Sequence, residues 1–579
     1  MTSPGIGLPA TATISRRGVG RLLGAAAATS LLGGTGRAAA SESGTADLVF
    51  HNGDVITMDP RRPRATAVAV RAGRIVYVGP DTGARAFAGR GTETVDLRGR
   101  TLTPGINDTH LHAAVYRLNL PPYALDLGPA AAKSVADIVA AVAAEAGRTP
   151  AGEWIRGSGW NPARLAENRE PNRDDLDRVS PDHPVFLQDS GYHVSAVNSR
   201  ALELAGITDV GPDGTRKPGV DYDANGRPTG VLRYGGQALV QLLLPPRTRE
   251  QRKQAIQDAL TRLRAEGITS FTDPGLGPGG DGLGGGTQGI ETLNAYVDLA
   301  RAGALDARVS ALFLPCSQSG GSAAAVDKAL REFTPPAGVD PRRFAVRGVK
   351  LFSDSGGDLL VAGNTNEERA AELAEMVRIA HAAGYQVGVH CYRWVPTVVD
   401  AFTAALRRHP RADARHIAMH GAFVPASLLP TMARYRIGLG PQAQSWANAI
   451  HRAAQGPAGD AFLPWRSAVD AGVPLLGSSD APVNAPNWRA GVQALVTRRG
   501  TCGDVHGPEQ RLTLEQALAA YTTAGAWQDF AESWKGSVSV GKVADLCVLG
   551  GNLRTTSPDE IAGVPVAMTV FDGRVVHEA

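Results

Sequence analysis

Leu102-Thr103-Pro104-Gly105-Ile106-Asn107-Asp108-Thr109-His110-Leu111-His112 decides how this chain is read. The run is short and largely apolar, as a buried strand is, and it ends on two histidines separated by one residue. Side chains alternate faces along a strand, so His110 and His112 project the same way, close enough for both imidazoles to reach one divalent cation. A bare His-x-His also arises by chance or as hydrogen-bonded surface, so its meaning depends on partners elsewhere.

Further short apolar runs occupy residues 267–273, 308–314, 345–352, 385–390, 415–420, 436–440 and 473–479. Most are followed by a helical pattern, for example 367–383 and 398–408. With 102–110 they make the strand count of an α/β TIM-type (β/α)8 barrel, expected over residues 102–536. Residues 113–260 are too many for a loop and carry helical patterns at 134–146 and 247–266, which predicts a folded insertion after the first strand. Residues 46–101 and 537–579 alternate β-branched runs with turn signals. Their relatives Ala72-Gly73-Arg74-Ile75-Val76 and Phe571-Asp572-Gly573-Arg574-Val575-Val576 suggest that the two termini pair into one small β-sandwich. The glycine-rich stretch 275–289 is expected to be a mobile loop at the barrel mouth, and it is no phosphate cradle because no Lys-Ser/Thr follows it.

In such a barrel the active residues come from the C-terminal ends of the strands. The polar residues there are His110, His112, Lys350, His390, His420 and Asp480. Taken singly, His390 or His420 reads equally well as a satisfied core histidine, Lys350 as a snorkelling lysine and Asp480 as a helix N-cap. Taken together they are six metal-competent groups on five strands, and imidazoles with a carboxylate suit zinc or a similar divalent ion. Trp394, Trp446 and Trp488, also near strand ends, are candidates for an aromatic pocket or for packing.

The chain has 579 residues, 43% of them hydrophobic, with a formal charge of +3. Residues 1–40 carry Arg16, Arg17, Arg21 and Arg37 and no acid, so the remainder is near neutral and nothing points to a nucleic-acid partner. Four scattered cysteines make neither a disulfide framework nor a metal knuckle, and only Cys391, next to His390, draws attention. The first forty residues read as a twin-arginine-type export signal. Ser15-Arg16-Arg17-Gly18-Val19 precedes a mildly apolar run, 22–36, too short to span a bilayer, and Ala38-Ala39-Ala40 offers the cleavage site. The alternative is a disordered basic N-terminus. The mature chain is expected to begin near Ser41 and to be extracellular or periplasmic, without a stable membrane anchor.

At this point the chain resembles the metal-dependent amidohydrolase superfamily, in its YtcJ-like branch, which includes enzymes similar to N-substituted formamide deformylase. The resemblance rests on Pro104 to His112, Val349-Lys350-Leu351-Phe352, Ser478-Ser479-Asp480-Ala481-Pro482-Val483 and Gly541-Lys542-Val543-Ala544-Asp545-Leu546. Trp154 to Trp160 and Val197-Asn198-Ser199-Arg200-Ala201-Leu202 add to it. It implies one or two metal ions held by His110, His112, His390 and His420, with a carbamylated Lys350 as bridge and Asp480 as proton shuttle and weak ligand. It also implies hydrolysis of an amide-like C–N bond in a small-molecule substrate by metal-activated water. Tyr192 and His193 sit where the branch has a short Asp-Gly-His element, which marks them as substrate contacts.

The chain departs from that pattern at Met419, where the branch commonly has Glu, and at His390-Cys391-Tyr392-Arg393-Trp394, where it has His-x-x-Gly-Asp. Gly230-Val231-Leu232-Arg233-Tyr234 lacks an acid often found there. These departures keep open a second reading, a metal-containing barrel that only binds. A third is a metal-free Schiff-base lyase using Lys350. Four retained histidines argue against the lyase, and a retained Asp480 argues against the binder. Homo-oligomerisation is left open by the sequence.

Overall fold

The computed structural model describes residues 44–210, 214–280, 288–317, 320–355, 358–446, 464–500 and 503–579. The signal-like segment 1–40, the expected start at Ser41 and the centre of the glycine-rich stretch, 281–287, lie outside the described residues. Seven parallel strands form one curled sheet in the order Gly438–Gly440, Ile417–His420, Gln386–Cys391, Phe344–Phe352, Arg308–Phe313, Ile268–Leu276, Ile106–Asp108, as in a TIM-like barrel. Most of their residues are buried, which explains why the strands read as continuous apolar runs. Helices Asn366–Ala382 and Val395–Arg408 fall where the helical patterns put them. The former begins in a capping box, Thr365 with Glu368.

Two strand expectations change. The first run is two strands broken at Gly105: Thr101–Pro104 pairs with Leu546–Leu549 and Asp54–Ile56, and only Ile106–Asp108 enters the barrel sheet. A Cβ at Gly105 would lie 2.2 Å from Thr269 Oγ1, so the crossing of the chain between sheets needs glycine. The expected eighth strand, 473–479, forms no ladder; Pro474 offers no N–H, and Leu475 makes a single parallel bridge to Leu439. Its backbone still joins both flanks, through Leu476 N to Leu439 O (2.8 Å) and Thr109 N to Gly477 O (3.2 Å).

Segments 54–104 and 546–578 meet in one six-stranded sheet, ordered Arg574–Glu578, Val566–Phe571, Leu546–Leu549, Thr101–Pro104, Asp54–Ile56, Arg64–Ala65. A four-stranded sheet built on Leu48–His51 shares a core with it, including Phe50, Val70, Leu102, Val548 and Val570. The region after the first barrel strand holds a six-stranded sheet, Leu125–Asp126 through Val220–Tyr222, that the sequence patterns did not reveal. Helix Arg249–Ala265, read from sequence as part of the insertion, buries Ala255, Ile256, Ala259, Leu260 and Leu263 in the barrel core. Among the described residues no helix is long and apolar enough to cross a membrane.

Candidate metal centre

His110 and His112 lie just beyond their strand, and they are held there by the eighth segment: Asp480 N donates to His110 O (2.8 Å) and His112 N to Ala481 O (2.9 Å). Asp108 ties the same two segments together, its carboxylate accepting from His110 N (3.2 Å) and Ser479 N (3.1 Å). Lys350 and His390 stand on Phe344–Phe352 and Gln386–Cys391, and His420 ends Ile417–His420. All six predicted groups line one cavity of about 280 Å³. His420 (φ 64°) and Asp480 (φ 55°) hold left-handed backbone, costly for residues with a Cβ and common where a site dictates side-chain direction.

Asp480 is the hub. Its Oδ1 lies 3.3 Å from His110 Nε2 and 3.4 Å from His112 Nε2, and its Oδ2 3.9 Å from His420 Nδ1. His110, His420 and Asp480 offer ligand atoms all within 4.8 Å of one another, and the His390 ring centroid is 4.2 Å from that of His420. His110 Nδ1, His390 Nε2 and His420 Nε2 are buried without a hydrogen-bond partner, an arrangement that costs about 1–3 kcal/mol per group if left unmet. Gln442 fixes one of these rings: its Nε2 donates to Ser478 Oγ (3.2 Å), so its Oε1, 2.6 Å from His420 Nδ1, accepts, and the His420 Nε2 lone pair is left for a cation. A nitrogen-and-carboxylate set with no thiolate fits a borderline divalent ion such as zinc.

The electrostatics favour the neutral, ligating form of three of the four imidazoles. Burial, together with Lys350 and the neighbouring imidazoles, holds His110 and His390 well below the usual histidine range, and burial brings His420 down to about 4 against the pull of Asp480. Burial would also lower His112, but Asp273 and Asp480 outweigh it and raise the value. Asp480 is kept ionised although burial opposes it, because His112, His420 and Lys350 surround it. Burial lowers Lys350 to about 8.

On the opposite wall the insertion strand Val185–Asp189 ends in a turn whose Asp189 carboxylate accepts from Gly191 N (3.0 Å) and Val194 N (2.8 Å). That turn presents Tyr192 and His193 to the cavity. Trp394 is not among the residues that line this cavity; its side chain packs against the barrel core at the start of helix Val395–Arg408. Trp488 is buried with Nε1 donating to Glu266 O (2.7 Å), and the side chain of Trp446 lies outside the described residues. The aromatic wall is instead Phe352 and Tyr392, the latter stacked on His420 at 5.0 Å. Asp354 orders the departing segment by accepting from Tyr392 N (3.1 Å) and Arg393 N (2.7 Å).

Sequence reasoning missed Tyr392, Asp354, Gln442 and Asp273, which faces His112 Nδ1 at 3.5 Å. Gln442 stands just past the end of strand Gly438–Gly440, whereas Asp273 lies three residues inside the end of Ile268–Leu276. Residues 93–577 match the family described as "Amidohydrolase family". The putative amidohydrolase YtcJ of Bacillus subtilis (strain 168) is 26% identical over 553 residues, spanning 92% of this chain and 99% of the relative. N-substituted formamide deformylase of Arthrobacter pascens is 26% identical over 552 residues, spanning 92% of this chain and 98% of that protein. An uncharacterized metal-dependent hydrolase of Pyrococcus horikoshii OT3 has the same fold, with a TM-score of 0.66 at 20% identity over 92% of this chain and 100% of the other. The chain therefore belongs to the amidohydrolase family and is a metal-dependent hydrolase.

Proposed function

We propose that the protein is an exported hydrolase of small non-peptide amides, such as N-substituted formamides or N-acyl amines. The observation that carries this reading is the convergence of four histidines, Lys350 and Asp480 on one cavity, each of the four imidazoles keeping one buried nitrogen without a hydrogen-bond partner. Similarity over nearly the whole chain to an N-substituted formamide deformylase supports the bond type. A cavity of about 280 Å³ suits a small molecule better than a folded polypeptide.

His110, His112, His390, His420 and Asp480 would hold the cation, with Lys350 as a further ligand once carbamylated. When bound, the cation polarises the carbonyl and makes water acidic near neutral pH. Asp480, ionised and in contact with two imidazoles, takes the proton from water at a carboxylate oxygen and delivers it to the departing nitrogen. Phe352 and Tyr392 shield one side from water, while Tyr192, His193, Asn161 and Asn484 orient the polar end of the substrate. The two terminal sheets are read as one composite β-sandwich and the insertion as the outer wall of the site.

Metal-loaded protein should hydrolyse members of a panel of N-substituted formamides and N-acyl amines. Asp480→Asn should keep most of the metal and lose about 10²–10⁴-fold in turnover. Wild-type turnover from Asp480→Asn would remove the proposed proton carrier. Met419, a thioether in place of an acid beneath Lys350, favours the binding-protein alternative, which a metal-loaded wild type inert on the whole panel would support. The export reading rests on the order of signal elements in residues 1–40. Replacing Arg16 and Arg17 by Lys should retain the protein in the cytoplasm, and a secreted chain starting well before Ser41 would contradict the cleavage site.

A further inference from the structure

The two histidines of the pair are held differently. His110 has Asp480 beside Nε2 and no partner at Nδ1. His112 stands between two carboxylates, with Asp480 Oδ1 3.4 Å from Nε2 and Asp273 Oδ1 3.5 Å from Nδ1. Asp273 belongs to the barrel strand Ile268–Leu276 and is 1% exposed. Its Oδ2 accepts the Tyr296 hydroxyl at 2.7 Å, and Tyr296 is fully buried on helix Ile290–Arg301, stacked on Phe344 at 5.6 Å. Asp273 Oδ1 and His112 Nδ1 have no hydrogen-bond partner, although they face one another a few tenths of an ångström beyond bonding distance.

We infer that Asp273, anchored by Tyr296, is a positioning residue that holds His112 with Nδ1–H toward the strand and the Nε2 lone pair toward the cation. A buried carboxylate with one oxygen unmet is expensive unless a donor faces it, and among the described residues the His112 ring faces this one. The tyrosine removes the other oxygen from competition and fixes the carboxylate plane through a ring that is itself locked by packing. The consequence is an asymmetric pair: His112 has an acid facing Nδ1 that orients it and makes it a better donor, whereas His110 has Asp480 beside Nε2 and no acid facing Nδ1. The inference rests on the reading of His112 as a ligand.

The test is zinc affinity, measured by chelator competition on the full chain, with the imidazole ¹⁵N signals of His112 as a second readout. Asp273→Ala should weaken zinc by about 10–100-fold, and Tyr296→Phe, which keeps the packing, should weaken it less. The His112→Ala/Asp273→Ala double variant should bind zinc no more weakly than His112→Ala alone. In zinc-loaded protein the His112 Nδ1 should be protonated, and Asp273→Asn, a variant of unchanged shape, should perturb that signal and not that of His110. Unchanged affinity in Asp273→Ala alongside a weakened His112→Ala overturns the positioning role alone. Losses that add in full in the double variant assign Asp273 a general structural role and also overturn it. Unchanged affinity in His112→Ala removes the ligand reading and the inference with it.

Discussion

Lys350 Nζ lies 3.1 Å from Met419 Sδ, a weak acceptor that leaves the ammonium, among the described residues, without a carboxylate beside it. The Phe352 ring covers it at 4.9 Å, and Asp480 acts on it only at longer range. Burial therefore lowers the lysine to about 8, and a substantial neutral fraction is available to react with carbon dioxide. The neutral fraction grows as pH rises from 7 through about 8, so carbamate formation should grow with it.

A ¹³C carbamate signal from labelled bicarbonate should appear in wild type and be missing from Lys350→Ala. Metal content should fall when bicarbonate is withheld during loading. Lys350→Ala should lose metal and activity, and short carboxylic acids should partly restore both by replacing the carbamate. Metal content insensitive to bicarbonate, with full loading of Lys350→Ala, would take this lysine out of the site.

Tyr392 lines the cavity with its ring stacked on His420, while Trp394 packs against the barrel core. Tyr392→Ala should raise KM for an active amide by about tenfold or more, in line with the loss of a buried aromatic contact of 1.4 kcal/mol or more. Trp394→Ala should act mainly on thermal stability. KM values that move with Trp394 and not with Tyr392 would reverse the assignment.

The six strand-end groups were legible because each stands at or near the close of an apolar run, a one-dimensional signal that survives without the fold. Lys350 and Asp480 carried the same mark as His390 and His420. The groups that contact them were not, because their meaning is a contact between distant elements: Gln442 with His420, Asp273 with His112, Asp354 with the backbone of residues 392–394. The insertion sheet escaped because Ile155–Trp160 carries two glycines, a serine and an arginine where alternating β-branched residues would announce a strand. The break at Gly105 was hidden for the opposite reason, since both halves of the run are buried and apolar.

His416 and His381 form a buried relay away from the cavity. Val387 N donates to His416 Nδ1 (3.0 Å), so His416 Nε2–H faces His381 Nδ1 (3.0 Å) and His381 Nε2–H faces His409 O (2.7 Å), which requires both rings to be neutral. Burial, with His381 and Arg411 nearby, holds His416 well below the unfolded value of 6.5, and burial lowers His381 as well. A histidine depressed in the folded state leaves stability complete above pH 6.5 and lost as pH falls below it. The loss runs at about 1.4 kcal/mol per pH unit for each proton the unfolded chain takes up. Denaturant unfolding from pH 7 to 5 should show this fall, and His416→Gln should make it shallower, leaving the share of the other depressed histidines, His110, His390 and His420; an equal slope in both proteins would exclude the relay as a contributor.

The most direct measurement is divalent metal by elemental analysis of purified protein, in wild type, in His110→Ala/His112→Ala and in His183→Ala. His183 lies in the insertion with Nδ1 3.2 Å from Glu153 O, away from the lining of the cavity. The account predicts stoichiometric metal in wild type and in His183→Ala, and little or none in the double variant. Full occupancy in His110→Ala/His112→Ala would contradict it.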